Sequence, residues 1–233
     1  MITQKDIDNA TMHINGTNIY DYGVVLESFK VGAIETITDT YQGVNRTNFN
    51  VLNYTQYMRS ISVNLFFAAP TRRELALIKS KIDNMLMGKL ELWLPDGFYY
   101  MSYLESAGEE SMLGVEHNKV IALCAYKFKG IRHDKLETVE SNTVLCKSTV
   151  PRTDCRLTCT ASQAYESLQI DTVTITNVSQ GDVLVVDGIT GRILQNGGLC
   201  AGNMSFIHFP YLVPAQNDLT CPEDLTVEYY PTY

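Results

Sequence analysis

Long apolar runs are missing from this sequence of 233 residues. No stretch approaches the roughly 18 consecutive apolar residues of a membrane-spanning helix. Residues 1–8 also lack the basic-then-apolar pattern of a secretory signal peptide. We therefore expect a chain that has no membrane partner and is made in a cytoplasm.

Basic side chains are scarce in the second part of the chain. Residues 136–233 hold 4 basic and 11 acidic side chains, whereas residues 1–135 hold 14 and 15. Binding to nucleic-acid phosphates needs clustered Lys and Arg, so no sequence-specific nucleic-acid partner is predicted. The change in charge also predicts two units with different surfaces.

Catalytic and metal-binding motifs are missing as well. The sequence has no GxSxG, P-loop or HExxH pattern, and its four histidines stand alone. Two carboxylate pairs, at residues 109–110 and 223–224, fall in predicted turns that we expect to be solvated. The sequence therefore predicts no enzyme, no catalytic residue, no cofactor and no metal site.

The six cysteines leave three interpretations open. An even number is compatible with disulfides, and the spacing of Cys155 and Cys159 with a metal site. Structural zinc sites usually use tighter cysteine pairs. Without an export signal, the redox state of a cytoplasm favours reduced, mostly buried thiols. The cysteines are Cys124, Cys146, Cys155, Cys159, Cys200 and Cys221.

One helix is predicted, over about residues 72–87. Thr71 and Glu74 have the spacing of a capping box, in which each side chain satisfies an amide of the first turn. Gly88 suits the end of the helix. Apolar residues recur between them at helical spacing: Leu75, Ile78, Ile82, Met85 and Leu86.

Strands are predicted around this helix. Residues 59–67 alternate between polar and apolar, which is the period of a half-buried strand. Asn15 and Gly16 predict a turn within an early strand. The polar, Asn-rich and Tyr-rich residues 38–58 predict a long loop or an exposed hairpin. Candidate subunit contacts in and beside this segment are Tyr41, Tyr54, Tyr57 and Arg59.

The second part of the chain predicts a β-sandwich. Residues 130–142 are polar and charged, which is typical of a linker. Short apolar runs follow at even spacing, with turn residues between them and no helical pattern. In one hairpin, Asp187-Gly188 is expected to supply the positive φ of a tight turn, and Gly191 a second such position.

Ordered motifs in the sequence resemble the distal tail protein (Dit) family of long-tailed bacteriophages. Residues 185–197 (VVDGITGRILQNG) are similar to the family's strand, Asp-Gly-x-x-Gly-Arg/Lys, strand, Asn-Gly pattern. Residues 209–217 (FPYLVPAQN) are similar to its Phe-Pro-x-Leu-x-Pro-Gly-x-Asn turn, with Ala215 where the family often has Gly. The matching turn residues are Asp187, Gly188, Gly191, Asn196, Gly197, Pro210, Pro214 and Asn217.

The resemblance implies a mainly β fold and a structural role. It implies a β-sandwich-like, ring-forming N-terminal domain with one α-helix (residues 1–135) and a galectin-like β-sandwich domain (residues 136–233). Family members form a hexameric ring that joins the tail tube to the tail-tip hub around a channel for DNA. The expected partners are copies of the chain itself, the tail-tube protein, the tail-associated hub protein and receptor-binding proteins. The expected location is the virion, after synthesis in the bacterial cytoplasm.

A carbohydrate-binding module is the alternative function. Galectin-like folds suggest host cell-wall sugar as a ligand by analogy alone. A sugar site needs an exposed aromatic ring beside planar polar groups. Tyr211 and Asn217 are the candidate contacts.

Overall fold

The computed structural model describes residues 11–41, 50–116, 118–200 and 202–233. The chain divides into two compact units, Met1–His133 and Asp134–Tyr233. The boundary between the units falls within the predicted linker at residues 130–142, but most of this segment is strand rather than loop, because Gly130 lies within a long strand and residues 137–140 form another. Strand pairing satisfies the backbone of this polar segment, which composition alone does not reveal.

The first unit is an antiparallel sheet of seven strands in the order β2-β1-β5-β6-β7-β4-β3. Its helix, α1, spans Arg72–Met85, and a 3₁₀ turn spans Ile19–Tyr22. The strands are β1 (His13–Ile14), β2 (Thr17–Asn18), β3 (Val24–Tyr41), β4 (Asn50–Ala69), β5 (Lys89–Trp93), β6 (Tyr99–Glu116) and β7 (Lys119–His133).

Helix α1 forms where its capping residues predict it. Thr71 Oγ1 accepts a hydrogen bond from the backbone N–H of Glu74 at 3.2 Å. Glu74 bonds the Thr71 hydroxyl rather than the Thr71 amide, so only half of the capping box forms. The apolar side of the helix covers one face of the sheet, with Leu75, Ile82 and Leu86 buried in the core of the first unit.

The alternating pattern of β4 decides which face of the sheet is buried. Ile61, Val63 and Leu65 are buried on the helix side and Ser62 between them is exposed, which is the half-buried strand that the alternation predicts. Strands β3 and β4 pair as far as Tyr41 and Asn50, so the hairpin interpretation of residues 38–58 is correct. The Asn15-Gly16 turn is also confirmed, since both residues have positive φ, of 50° and 78°.

The second unit consists of strands only, within the residues described. A seven-stranded sheet has the order β15-β14-β13-β10-β19-β8, with β17 also pairing with β10; β11-β12-β16 and β18-β9 form smaller sheets. The strands are β8 (Glu137–Glu140), β9 (Thr143–Cys146), β10 (Thr153–Thr160), β11 (Tyr165–Ile170), β12 (Val173–Val178), β13 (Val183–Asp187), β14 (Arg192–Gln195), β15 (Gly198–Leu199), β16 (Met204–Phe206), β17 (Tyr211–Leu212), β18 (Ala215–Asp218) and β19 (Thr226–Tyr229). The mainly β fold class with one α-helix is therefore confirmed.

Candidate subunit interface

Within the described residues, the first unit has two long unpaired strand edges on opposite sides of one sheet. Strand β3, 18 residues long, lies at one border and pairs only with β4 among the described residues. At the other side, β5 pairs with β6 only over Tyr99–Tyr103. The outer edge of β6 from Leu104 onward therefore has no strand partner within the described part of the chain. Long unpaired edges expose a row of backbone donors and acceptors that invite another strand.

Apolar side chains cluster near the tip of the β6–β7 hairpin. Leu113 is 59% exposed and Val115 is 72% exposed, and Met112 beside them is also exposed. Register shifts interrupt the β6–β7 ladder before this tip, at Leu104/Ser106 and again at Ala107/Glu110. Exposed apolar groups of this kind mark surfaces that bind a partner.

An open groove borders the same free edge of β6. Its volume is about 530 Å³, and it lies between α1 and β6. Lys79 Nζ and a carboxylate oxygen of Glu110 form an ion pair across it at 2.8 Å. Asp83 in the groove accepts a hydrogen bond from the Tyr126 hydroxyl at 2.9 Å. Lys79 and Glu110 thus neutralise each other at the surface of the groove, and Asp83 is held by Tyr126.

The sheet face opposite α1 is polar around Ser62, although Phe66 and Leu123 lie farther along the same face. Ser62 of β4 lies level with Lys30 of β3 and Lys127 of β7, and all three are exposed. On the same face, Lys129 forms an ion pair with Glu35. This pair raises the pKa of Lys129 and lowers the pKa of Glu35, because each group stabilises the charged form of the other. The face therefore carries small polar groups and charges of both signs.

Of the four predicted subunit contacts, the structure describes the side chain of Arg59 alone. The side chains of Tyr41, Tyr54 and Tyr57 lie outside the description, although their backbones belong to β3 and β4. Arg59 is described: its Nη1 donates to the carbonyl oxygen of Gly32 at 3.3 Å. This bond stays within the chain, so a role of Arg59 between subunits remains a prediction.

Ion pairs stabilise the hairpin of residues 181–198, which contains the motif that resembles the Dit family and is called the signature hairpin below. Arg156 of β10 bridges Asp187 at 3.0 Å and Glu228 of β19 at 3.2 Å. Asp187 also accepts the backbone N–H of Thr190 at 3.0 Å. Burial opposes ionisation of Asp187, but the bonds to Thr190 and Arg156 outweigh it and lower the pKa of this carboxyl.

Gly188 is required for a reason other than the expected one. Gly191 has the predicted positive φ, of 68°, but Gly188 does not have positive φ, so that prediction is wrong. A Cβ on Gly188 would lie 2.7 Å from the carbonyl oxygen of Pro210 and 2.8 Å from that of Cys155. The glycine N–H donates to the same Cys155 oxygen at 2.9 Å. Close backbone packing therefore excludes a side chain here.

Asn196-Gly197, the Asn-Gly pair of the motif that resembles the Dit family, forms a two-residue turn between β14 and β15. Asn196 and Gly197 have φ of 51° and 78°, which both positions of a type I′ turn require. The Asn196 side chain accepts the N–H of Val183 at 2.9 Å and donates to Asp182 at 2.7 Å. Its backbone N–H donates to Val183 as well.

Asn217 closes the turn that contains Pro214. Its side chain accepts the N–H of Val213 at 2.8 Å and donates to the carbonyl oxygens of Val213 and Ala215, both at 2.9 Å. Ala215 has φ of 137°, a conformation that favours glycine.

The candidate sugar contacts are already engaged within the chain. The guanidinium of Arg152 lies 3.7 Å from the centre of the Tyr211 ring. The Asn217 amide is occupied by the turn that it closes. Arg152 therefore covers one face of the Tyr211 ring and the Asn217 amide serves its own turn, so the sugar contact stays a prediction.

Glu223 is a buried carboxylate, although its sequence context predicts a solvated turn. That prediction is wrong: Glu223 is 9% exposed and accepts hydrogen bonds from the Ser162 N–H, the Ser162 hydroxyl and the Tyr165 hydroxyl, at 2.6–2.8 Å. The bond from Tyr165 contributes most to the lowered pKa of Glu223. No signal in the sequence reveals this, because the donors lie about 60 residues away along the chain.

Neither a metal site nor a membrane helix is present in the described residues. No three His, Cys, Asp or Glu side chains converge there as metal ligands would. No helix in that part is both long and apolar enough to cross a bilayer. All six cysteines are free, and five of them are buried.

Solved structures of phage tail proteins share this fold. The SPP1 Dit protein, described as a paradigm of the hub adsorption apparatus in phages that infect Gram-positive hosts, superposes with a TM-score of 0.73 at 13% identity, covering 96% of this chain and 98% of that one. A chain of the phage P2 baseplate activated with calcium gives 0.57 at 7% identity over 96% and 98%. The same baseplate with strontium gives 0.53 at 8% identity over 94% and 97%.

The shared fold confirms the resemblance inferred from the sequence motifs at the level of the fold. It extends over nearly the whole length of both chains in each case. No protein-family model and no curated protein matches the sequence.

Proposed function

We propose that this chain is a structural component of a phage tail tip: a distal tail protein that forms a hexameric ring between the tail tube and the tail-tip hub. The observation that carries the proposal is the fold shared with SPP1 Dit over 96% of the chain. In this role the chain has no catalytic activity. Its partners are further copies of itself, the tail-tube protein, the tail-associated hub protein and receptor-binding proteins.

The two open edges of the first unit support closure into a ring. They lie at opposite sides of one sheet, so β3 of one copy can pair with the outer edge of β6 in the next. Such a contact is heterologous, and it closes into a ring when the rotation per subunit divides a full turn. Ring closure also removes the edges that a monomer leaves open.

The number of strands that six copies would contribute fits a barrel around a channel rather than a barrel with a packed core. Four long strands lie side by side in the sheet of the first unit, in the order β3, β4, β7 and β6. Six copies would close a barrel of about 24 strands, and at about 4.8 Å between strands and about 40° of tilt the backbone diameter is roughly 48 Å. Barrels with 16–18 strands already enclose an aqueous channel. The polar face of Ser62, Lys30 and Lys127 would line it.

The first experiment is the solution mass of the reduced, purified chain by light scattering, with electron micrographs of the same fraction. We expect rings of six subunits. The matched variants are Leu113→Lys with Val115→Lys at the hairpin tip, and Leu199→Lys, which is 72% exposed in the second unit. We expect the tip variant to lose the ring and keep its circular dichroism, and the Leu199 variant to keep both.

Two results would contradict the ring or its proposed contact at the hairpin tip. One is a wild-type chain that stays monomeric at its highest soluble concentration and also on tail tubes of the same phage. The other is a ring that both variants leave intact, which would place the contact away from the tip.

A further inference from the structure

Two cysteines of the second unit lie side by side where strand β10 ends. Cys159, on β10, is 3% exposed, and Cys221, between β18 and β19, is half-buried. The two thiols interact directly, because each is the largest influence on the pKa of the other. Both residues belong to the core of the second unit, with Cys221 at its border.

Neighbouring hydrogen bonds hold the two segments together. The Glu223 carboxylate, two residues after Cys221, accepts both the N–H and the hydroxyl of Ser162, each at 2.8 Å. Asn142 Nδ2 donates to the Cys221 carbonyl oxygen at 3.1 Å and to that of Glu223 at 3.0 Å. The backbone that carries Cys221 is thus fixed beside β10 by bonds that involve neither thiol.

The two thiols differ in reactivity. The interaction with Cys159 lowers the pKa of Cys221, whereas the same interaction and burial raise the pKa of Cys159. Burial also raises the pKa of Cys155 and Cys200. A thiolate is the species that attacks a disulfide, so the more accessible Cys221 is suited to react first and Cys159 second.

We propose that Cys159 and Cys221 form a redox-active dithiol, which closes into a disulfide when the protein meets a small-molecule disulfide such as oxidised glutathione. The Cys221 thiolate attacks one sulfur of oxidised glutathione, forms a mixed disulfide and releases one glutathione thiolate, which takes up a proton. Cys159 then loses its proton and attacks the Cys221 sulfur, and the second glutathione leaves as a thiolate that is protonated. Two protein thiols are oxidised and one glutathione disulfide is reduced.

The consequence is a covalent link between β10 and the segment before β19. It closes a loop from residue 159 to residue 221, which restricts the unfolded chain. The midpoint of thermal unfolding of the second unit should rise by at least about 5 °C on oxidation. Dithiothreitol should reverse the rise. This chemistry is independent of the proposed tail function.

The test treats the full, folded chain with oxidised glutathione at neutral pH and measures its intact mass and its linked peptides. We expect a loss of two hydrogen atoms, with Cys159 and Cys221 found in one disulfide-linked peptide pair. Cys159→Ala should leave a stable glutathione adduct on Cys221. Cys221→Ala should leave Cys159 unmodified, and Cys200→Ala, the matched control, should behave like the wild type.

Each alternative result overturns the proposal. A wild-type chain that keeps six thiols, holds a stable glutathione adduct, or links another pair has no such dithiol. These three results are obtained with the wild-type protein alone, so they remain decisive even if a core variant fails to fold. If the chain carries the mapped disulfide and its unfolding midpoint is unchanged, the disulfide does not stabilise the second unit.

Discussion

At the scale of single residues, packing rather than turn conformation determines the signature hairpin. Gly188 has no space for a side chain, since two carbonyl oxygens lie within 2.8 Å of the position that a Cβ would take. Gly191, three residues on, has open space but a positive φ. Two glycines of one motif are therefore required for two different physical reasons.

Gly188→Ala should lower the free energy of unfolding by about 2 kcal/mol, because the backbone around Cys155 or Pro210 must move. Gly198→Ala is the matched control in the same hairpin. Its Cβ would meet nothing closer than 3.6 Å and its φ is not positive, so a change within about 0.5 kcal/mol is expected. Urea denaturation followed by circular dichroism measures both, and equal effects would refute the packing argument.

Ala215→Gly should stabilise the chain by about 1 kcal/mol. The φ of 137° strains an alanine, and glycine relieves that strain at some cost in chain entropy. Ala164→Gly is the control, because Ala164 is exposed and its φ is not positive. There, glycine should destabilise slightly. Unfolding curves of the two variants should therefore move in opposite directions, and a loss of stability in Ala215→Gly would contradict the strain.

Glu223 should make stability depend on acid pH. Its pKa in the folded chain is lowered, so its contribution is present above the unfolded pKa of about 4.3 and is lost as the pH falls through the folded value. Glu223→Gln should unfold more easily than wild type at neutral pH, with a difference that shrinks below about pH 4. The neighbouring exposed carboxylate, changed in Asp224→Asn, is the control. A difference that is constant with pH would exclude this role.

At the scale of elements, the unequal lengths of the strands determine the outline of the sheet in the first unit. Strands β3, β4, β6 and β7 hold 18, 20, 18 and 15 residues, and β5 holds 5. The sheet is therefore widest near β5 and ends in a four-stranded extension with an open edge on each side. The unpaired edge of β6 follows from this inequality in length rather than from any motif.

At the scale of the whole molecule, each unit has its own buried core. The single tryptophan, Trp93, belongs to the first unit, so its fluorescence reports on that unit, whereas circular dichroism reports on both. Leu157→Ala removes a fully buried side chain from the second core and should cost about 3 kcal/mol there.

The urea midpoint of Leu157→Ala measured by circular dichroism should fall, while the midpoint measured by Trp93 fluorescence should stay at the wild-type value. Ile82→Ala, in the first core, is the matched opposite case and should lower the fluorescence midpoint. If both probes shift together in both variants, the two cores unfold as one cooperative unit.

The sequence by itself determined the features that depend on near neighbours. The capping residues of α1, the alternation in β4 and the Asn-Gly turns are local, because helix caps, strand period and turn conformation involve residues a few positions apart. The order of the turn motifs was enough to identify the fold that the solved phage structures share. Helix α1 begins at Arg72, where its cap predicts, and ends near the predicted position.

Only the tertiary structure decided the features that join distant residues. The reason that Gly188 must be glycine involves Pro210 and Cys155, and the burial of Glu223 involves donors at positions 162 and 165. The open edge of β6 exists because β5 ends early, a relation between strand lengths that no local pattern contains. Forming such contacts costs loop-closure entropy, and they form only because the whole unit packs in one way. Residue type and local spacing therefore do not predict them.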